Sequence, residues 1–412
     1  MMNPRYAIWW LATAHFMNDF FSGTLGIILA AQNDQIGLSN TQIGTASAIF
    51  LTVSIIQPFL GWVSDKYQVP HFMILGSSIT ALGLLVVGLA QSYTLILIGV
   101  LLGGFGNAMF HPTGLASARA LGGPMRKGRS VALFMLGGNG GFAIGPFLSG
   151  FALASFGPKG IAPFVLLNLI IVPILFWRLQ TNLRDTLNNI SSQSKAKHNQ
   201  HTSSNTRSKW YQTTTMMIAV YLIVVLLRGV IYQALSTFLP KYYTDYGNNL
   251  DFAGAATFAL LFCSALGGFI ATSLSDRLPR LPIVSVSLFL IAPLGWLLLA
   301  ANGWWIFALS VPFGLTIGAQ WPILLMIGQE VLPGGASGSS GLAFGWGFIA
   351  NAGGTFVAGL LADWIGLRET LQVVSLLPML GAFLVFLLPA ESPNENPTIT
   401  LKTSYEPQES TS

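Results

Sequence analysis

The stretch from Tyr6 to Ala30, YAIWWLATAHFMNDFFSGTLGIILA, carries one formal charge, Asp19. A helix of about 25 residues is long enough to cross the hydrocarbon core of a bilayer, which needs about 20. It is too long for a signal-peptide apolar region, and the polar run from His15 to Asp19 breaks such a region in the middle. The spacing therefore predicts a retained first membrane helix, with a carboxylate held halfway across.

The rest of the chain repeats the pattern. Its 412 residues are 52% hydrophobic and 8% charged, with 11 Trp and 28 Phe, and the mean hydropathy is +0.63. A soluble domain carries about 25% charged residues. Further apolar runs fall at roughly 42–62, 72–91, 94–117, 130–155, 161–178, 213–239, 252–274, 281–301, 304–327, 338–362 and 369–389, each about a membrane crossing long. Lipid offers no hydrogen-bond partners to a backbone, so these runs read as helices, about twelve in all. The 45 glycines suit close helix contacts. One cysteine, Cys263, excludes disulfides and thiolate metal sites.

Most of the 19 Lys and Arg residues fall in alternate loops, Lys66, Arg119, Arg126, Lys127, Arg129, Arg277 and Arg280 among them. Basic loops mark the cytoplasmic side, which places both termini there and predicts a multi-pass protein of a bacterial cytoplasmic (inner) membrane. The same bias accounts for the net charge of +5 without nucleic acid as a partner. Residues 181–212 are polar and read as a cytoplasmic linker between bundles at 1–180 and 213–390, with a cytoplasmic tail at 391–412. His198 and His201 in that linker read as solvated residues rather than metal ligands.

The halves look like diverged copies. Gly145, Gly150 and Gly157 recur at the same spacing as Gly354, Gly359 and Gly366, and Asp65-Lys66 recurs as Asp276-Arg277. Parallel six-helix repeats describe the major facilitator architecture, an all-α membrane fold of twelve helices in two pseudo-symmetric bundles. Gly61-Trp62-Val63-Ser64-Asp65-Lys66 resembles the first half of that superfamily's loop signature, although Gln68, Val69, Pro70 and His71 replace its remainder. The resemblance implies a conformational latch made by Gly61, Asp65, Lys66, Asp276 and Arg277. Gly141, Gly145, Pro146 and Gly150 are similar to the superfamily's antiporter motif, a smooth helix-packing surface kinked at proline.

Over both halves the chain resembles the fosmidomycin resistance protein family of exporters. The resemblance is carried by His15-Phe16-Met17-Asn18-Asp19, Gln57-Pro58, Phe110-His111-Pro112, Gly137-Gly138-Asn139, Gln329 to Gly334 and Ser340-Gly341-Leu342. It departs at Thr113, where an acidic residue is expected, and that leaves Asp19 as the chief candidate proton carrier.

Read from the residues, the same segments line a cavity. His15 and Asp19 are four apart on one helical face, extended by Asn18 and Ser22, and Asn107 and His111 repeat the spacing. Arg228, Tyr232 and Ser236 form another stripe, beside Gln233. Intramembrane charges usually mark a pathway or a partner. Asp19, with His15 or His111 as relay, is expected to carry a coupling proton. Arg228 is expected to attract an anionic group, aided by Tyr232, Gln233, Asn18, Asn107, Asn139, Gln320, Trp321 and Trp346. The alternatives are a structural ion pair between Asp19 and Arg228, interhelical hydrogen bonds for the amides, and plain packing for the tryptophans. Burial disfavours a charged carboxylate and a nearby cation favours it, so the charge of Asp19 would depend on conformation.

No HExxH, GxSxG or metal-spaced Cys/His cluster suggests an enzyme, and no phosphate-cradling glycine loop ending in Lys-Ser or Lys-Thr suggests an ATP-driven pump. The expectation is a monomeric secondary transporter without metal or cofactor. Its partners are protons, the lipid bilayer and a small, drug-like, anionic substrate exported by antiport. The alternative is uptake of a small anion or sugar by symport or facilitated diffusion.

Overall fold

The computed structural model describes residues 4–67, 71–178, 215–333 and 335–389. The expected linker, 181–212, and tail, 391–412, lie outside the described residues. The helices are α1 (Pro4–Ile36), α2 (Asn40–Val53), α3 (Gln57–Tyr67), α4 (Phe72–Gly88), α5 (Tyr93–Phe156) and α6 (162–178) in the first half. In the second they are α7 (Thr215–Asp245), α8 (Leu250–Ser275), α9 (Arg280–Ala300), α10 (Trp304–Gly318), α11 (Gln320–Val331), α12 (Gly335–Ile365) and α13 (Leu367–Leu384).

Among the described residues, nine segments are long and apolar enough to cross a bilayer. One of them, Arg129–Arg178, turns at Gly157 and supplies two crossings, and α1 and α4 complete the twelve. Two crossings are broken, and prolines explain both. Pro58 has no N–H for the Ser54 carbonyl, so α2 tightens through a 3₁₀ turn at Ser54–Ile56 before α3 begins. Pro322 likewise leaves the Gly318 carbonyl unpaired in the helix, and α10 gives way to α11 at Ala319.

α5 runs through two crossings without a break in its helical assignment, yet it cannot be straight. Asn107 and Asn139 line the same cavity, whereas a straight helix would set them about 48 Å apart. The element is a helical hairpin, and both arms pack on α1. The second arm runs beside α1 on glycines: a Cβ at Gly137, Gly141 or Gly145 would strike the carbonyl oxygen of Ala12, Phe16 or Phe20 respectively.

The halves meet at one end of the molecule through two equivalent contacts, α2 on α12 and α5 on α8. A Cβ at Gly150 would lie 2.6 Å from the Leu250 carbonyl oxygen, and one at Gly359 would lie 2.5 Å from that of Asn40. The repeated glycines thus perform the same task in each half. Gly157 and Gly366, the third members of each set, both take positive φ, +61° and +96°, where their helices end. Pro146 belongs to this seam as well, because its carbonyl occupies the space a side chain at Gly254 would need. The antiporter-like motif therefore faces two ways: Gly141 and Gly145 toward α1, Pro146 and Gly150 across to the other half.

At the opposite end, α3 packs on α5 within its own half, and Gly61 sits against Pro112. Asp276 and Arg277 are exposed in the turn after α8. Lys66 is exposed, with its ammonium 4.7 Å from the ring centre of Trp62. The side chain of Asp65 lies outside the described residues. Among the described residues, α3 packs on no helix of the second half and α11 on none of the first, so one end is closed and the other open.

Candidate functional site

A cavity of about 260 Å³ lies between the halves. The first half contributes Asp19, Ser22, Asn107, His111 and Asn139, and the second contributes Arg228, Tyr232, Gln233, Trp321 and Asn351. Each half brings one kind of charge.

On the α1 side the i, i+4 spacing sets His15 against Asp19, with Nε2 3.1 Å from Oδ2. The other ring nitrogen, Nδ1, lies 2.8 Å from the Phe134 carbonyl, which only accepts, so Nδ1 carries a hydrogen. That bond and stacking on Phe134 at 3.9 Å fix the ring. His111 approaches from α5, its Nε2 3.4 Å from the second carboxylate oxygen. Asn18 donates to that same oxygen at 2.9 Å. Asn107 Oδ1 forms the hub, accepting from Asn18 at 2.9 Å and from Ser22 at 3.2 Å while facing His111 Nε2 at 3.0 Å. Gly138 makes the cluster possible, because a Cβ there would lie 2.5 Å from His15 Nε2 and 2.7 Å from Asp19 Oδ2.

His15, Asp19 and His111 are of metal-ligand type, and their ligand atoms lie within 4.8 Å of one another. The Asn107 oxygen, however, calls for a hydrogen on His111 Nε2, which then offers no lone pair to a metal. A single hydrogen placed between His15 Nε2 and Asp19 Oδ2 completes the contact.

Across the cavity, α7 presents Arg228, only 6% exposed. Its guanidinium carbon is 4.4 Å from the ring centre of Tyr232 and 5.4 Å from that of Trp321. No carboxylate lies within ion-pair distance among the described residues, and Nε has no hydrogen-bond partner there. The Asp19–Arg228 ion pair considered from sequence does not form, since Asp19 is engaged with the two histidines and Asn18. Two aromatic rings thus flank the guanidinium.

Other expected site residues sit elsewhere. Asn18 is fully buried behind the cavity wall, where it orients Asp19 and Asn107. Gln320 is fully buried and donates to the Thr316 carbonyl. Trp346 packs against the core with its indole N–H on the Leu222 carbonyl at 2.7 Å. Thr113, at the position where an acid was expected, contacts Ser64 of α3 rather than the cavity. Sequence reasoning missed Phe142, Phe344 and Phe348 in the wall. The i, i+4 spacing of the last two was the available signal.

Two helical bundles closed at one end around a central cavity that takes charged and polar side chains from both halves define a membrane carrier. The chain belongs to the Major Facilitator Superfamily, whose profile matches residues 11–354, and it is accordingly a transporter of small molecules rather than an enzyme. It is 29% identical over 385 residues to the fosmidomycin resistance protein of Escherichia coli (strain K12), covering 92% of this chain and 91% of that one. It is 28% identical over 387 residues to the uncharacterized MFS-type transporter YfnC of Bacillus subtilis (strain 168), covering 92% of each. Among solved structures, a D-xylose-proton symporter superposes with a TM-score of 0.72 at 14% identity, covering 94% of this chain and 98% of that one. A bacterial homolog of the human lysosomal transporter Spinster, inward-facing and occupied, superposes with a TM-score of 0.71 at 13% identity, covering 94% and 97%. At such identities these structures speak for the fold alone.

Proposed function

We propose that the protein exports a small anionic compound in exchange for protons, by alternating access. The observation that carries the reading is a buried guanidinium with no counter-charge among the described residues facing, across one cavity, a carboxylate held between two imidazoles. Arg228 takes the anionic group of the substrate edge-on. Asp19 and His15 hold the coupling proton, His111 passes it to the cavity, and Asn107 keeps the imidazole oriented. The cavity of about 260 Å³ suits a small substrate. Trp321 and Tyr232 cover the faces of the guanidinium, and Gln233 and Asn139 offer hydrogen bonds to the remainder of the ligand.

The basic loops set the open end toward the cytoplasm, with both termini on that side of a bacterial cytoplasmic membrane. The conformation is then inward-open. Each chain encloses its own path and works as a monomer. The latch residues Gly61, Asp65, Lys66, Asp276 and Arg277 engage when the open end closes. Export is supported by the relative named for fosmidomycin resistance, and fosmidomycin is the first compound to test.

One observation favours a second reading, cotransport: a buried cation and a proton-binding cluster in one cavity draw in an anion and a proton together. Proteoliposomes loaded with a pH-sensitive dye separate the two. Exchange moves protons opposite to fosmidomycin and cotransport moves them with it. Asp19→Asn should abolish proton movement in either case, and proton-driven transport that persists in this variant would sink the assignment of Asp19.

A further inference from the structure

Asp363, near the end of α12, reaches into the other half. Its carboxylate accepts hydrogen bonds from the backbone N–H groups of Asn40 and Thr41, both at 2.8 Å. These are the first two amides of α2, and the accounting around them is complete. Ser39 caps the helix, with its hydroxyl accepting from the Gln42 amide and its own amide donating to the Gln42 side chain. That capping box satisfies two of the exposed donors at a helix start and leaves the next two unpaired. Asp363 supplies their acceptors in trans, with its negative charge at the positive end of the α2 dipole.

The surrounding surface is built for this contact. Gly359, one turn before Asp363, admits the Asn40 carbonyl, and Gly44 admits that of Thr355, so the helices touch along their backbones. The equivalent seam between α5 and α8 lacks the device. Ala154 stands at the position that corresponds to Asp363, and α8 carries an acid of its own, Asp251, in its first turn. The clasp is therefore particular to one of the two symmetry-related contacts.

We propose that Asp363 is a clasp between the halves that biases the carrier toward the conformation seen here. Opening this end hands the Asn40 and Thr41 amides from a carboxylate to water, so the bond is lost in the opposite-facing state and weights the equilibrium by its full net worth. The inference rests on alternating access and on neither the substrate nor the proton assignment.

The test is a distance measurement between spin labels at Gln35→Cys and Tyr246→Cys, exposed positions at the closed end of each half, in a Cys263→Ser background. Asp363→Asn and Asp363→Ala should raise the ratio of long to short distances about tenfold, equivalent to about 1.4 kcal/mol. Asp363→Glu should lie between these variants and the parent. Gly359→Ala, which pushes the Asn40 carbonyl away, should act in the same direction and serves if the Asp363 variants fold poorly. Distance distributions unchanged in well-folded Asp363→Asn and Gly359→Ala protein would overturn the proposal. No substrate or pH gradient is needed, so failure here is distinct from failure of the transport reading.

Discussion

Replacing Arg228 with methionine separates a binding role from a structural one by the sign of the stability change. The guanidinium is 6% exposed and has no carboxylate partner among the described residues. Burying an ion without a counter-charge costs several kcal/mol even after relaxation, so methionine relieves that penalty while filling much the same space. What it forfeits are the contacts with Tyr232 and Trp321, each worth about 0.5–2 kcal/mol. The balance predicts that Arg228→Met is as thermally stable as the parent or more so. Had the residue belonged to a buried ion pair, removal would instead cost about 3–5 kcal/mol. Binding moves the other way: a charge-assisted hydrogen bond to the anion is worth about 1.5–3 kcal/mol, so Kd should rise about 10- to 150-fold. Thermal unfolding in detergent and calorimetric titration of fosmidomycin measure the two quantities on one sample. A markedly less stable variant with unchanged affinity would refute the reasoning.

Asn107→Ala removes the acceptor of one Asn18 amide hydrogen, of the Ser22 hydroxyl and of His111 Nε2, leaving Asn18 and His111 only their contacts with Asp19; it should lower stability by about 1–3 kcal/mol in thermal unfolding and reduce the proton movement proposed for the cluster. Gly138→Ala places a methyl group against His15 and Asp19 and should abolish the proposed proton movement in dye-loaded proteoliposomes, while affinity for the anionic ligand proposed to bind Arg228 changes by less than about threefold. Trp346→Phe removes the bond to the Leu222 carbonyl and should cost about 0.5–1.5 kcal/mol of stability with transport affinity intact. A large loss of affinity in that variant would return Trp346 to the binding site.

The crossings were legible because bilayer thickness imposes a length on every apolar run, and the Asp19 cluster because i, i+4 spacing alone brings His15 to it. The coarse location of Arg228 followed from the rarity of charge inside such runs. What escaped depended on rotation about a helix axis. Gln320 and Trp321 are adjacent, and neighbouring helical residues diverge by about 100°; only Trp321 turns to the cavity, while Gln320 bonds back to Thr316. Asp363 escaped for another reason. In sequence it is an ordinary charge near a helix end, and its meaning comes from two amides more than three hundred residues away.

The two ends of the carrier hold contrasting contacts on shared helices, and that contrast is what makes a switch. The crossing formed by α2 and α3 starts at the closed end, with its amides on Asp363, and finishes at the open end in the Gly61–Lys66 stretch. α8 starts at the closed end on Gly150 and finishes at the exposed pair Asp276 and Arg277. Rocking the halves cannot satisfy both ends together, because a gap at one end is the condition for contact at the other. The equilibrium is therefore set by a difference between two similar sums of glycine-mediated packing and a few charged contacts. Binding free energy of a few kcal/mol, acting differently on the two states, is enough to reverse such a balance. A cavity whose carboxylate and imidazoles come from one half and whose cation comes from the other is placed to supply it, since any ligand that touches both groups feels the angle between the halves directly.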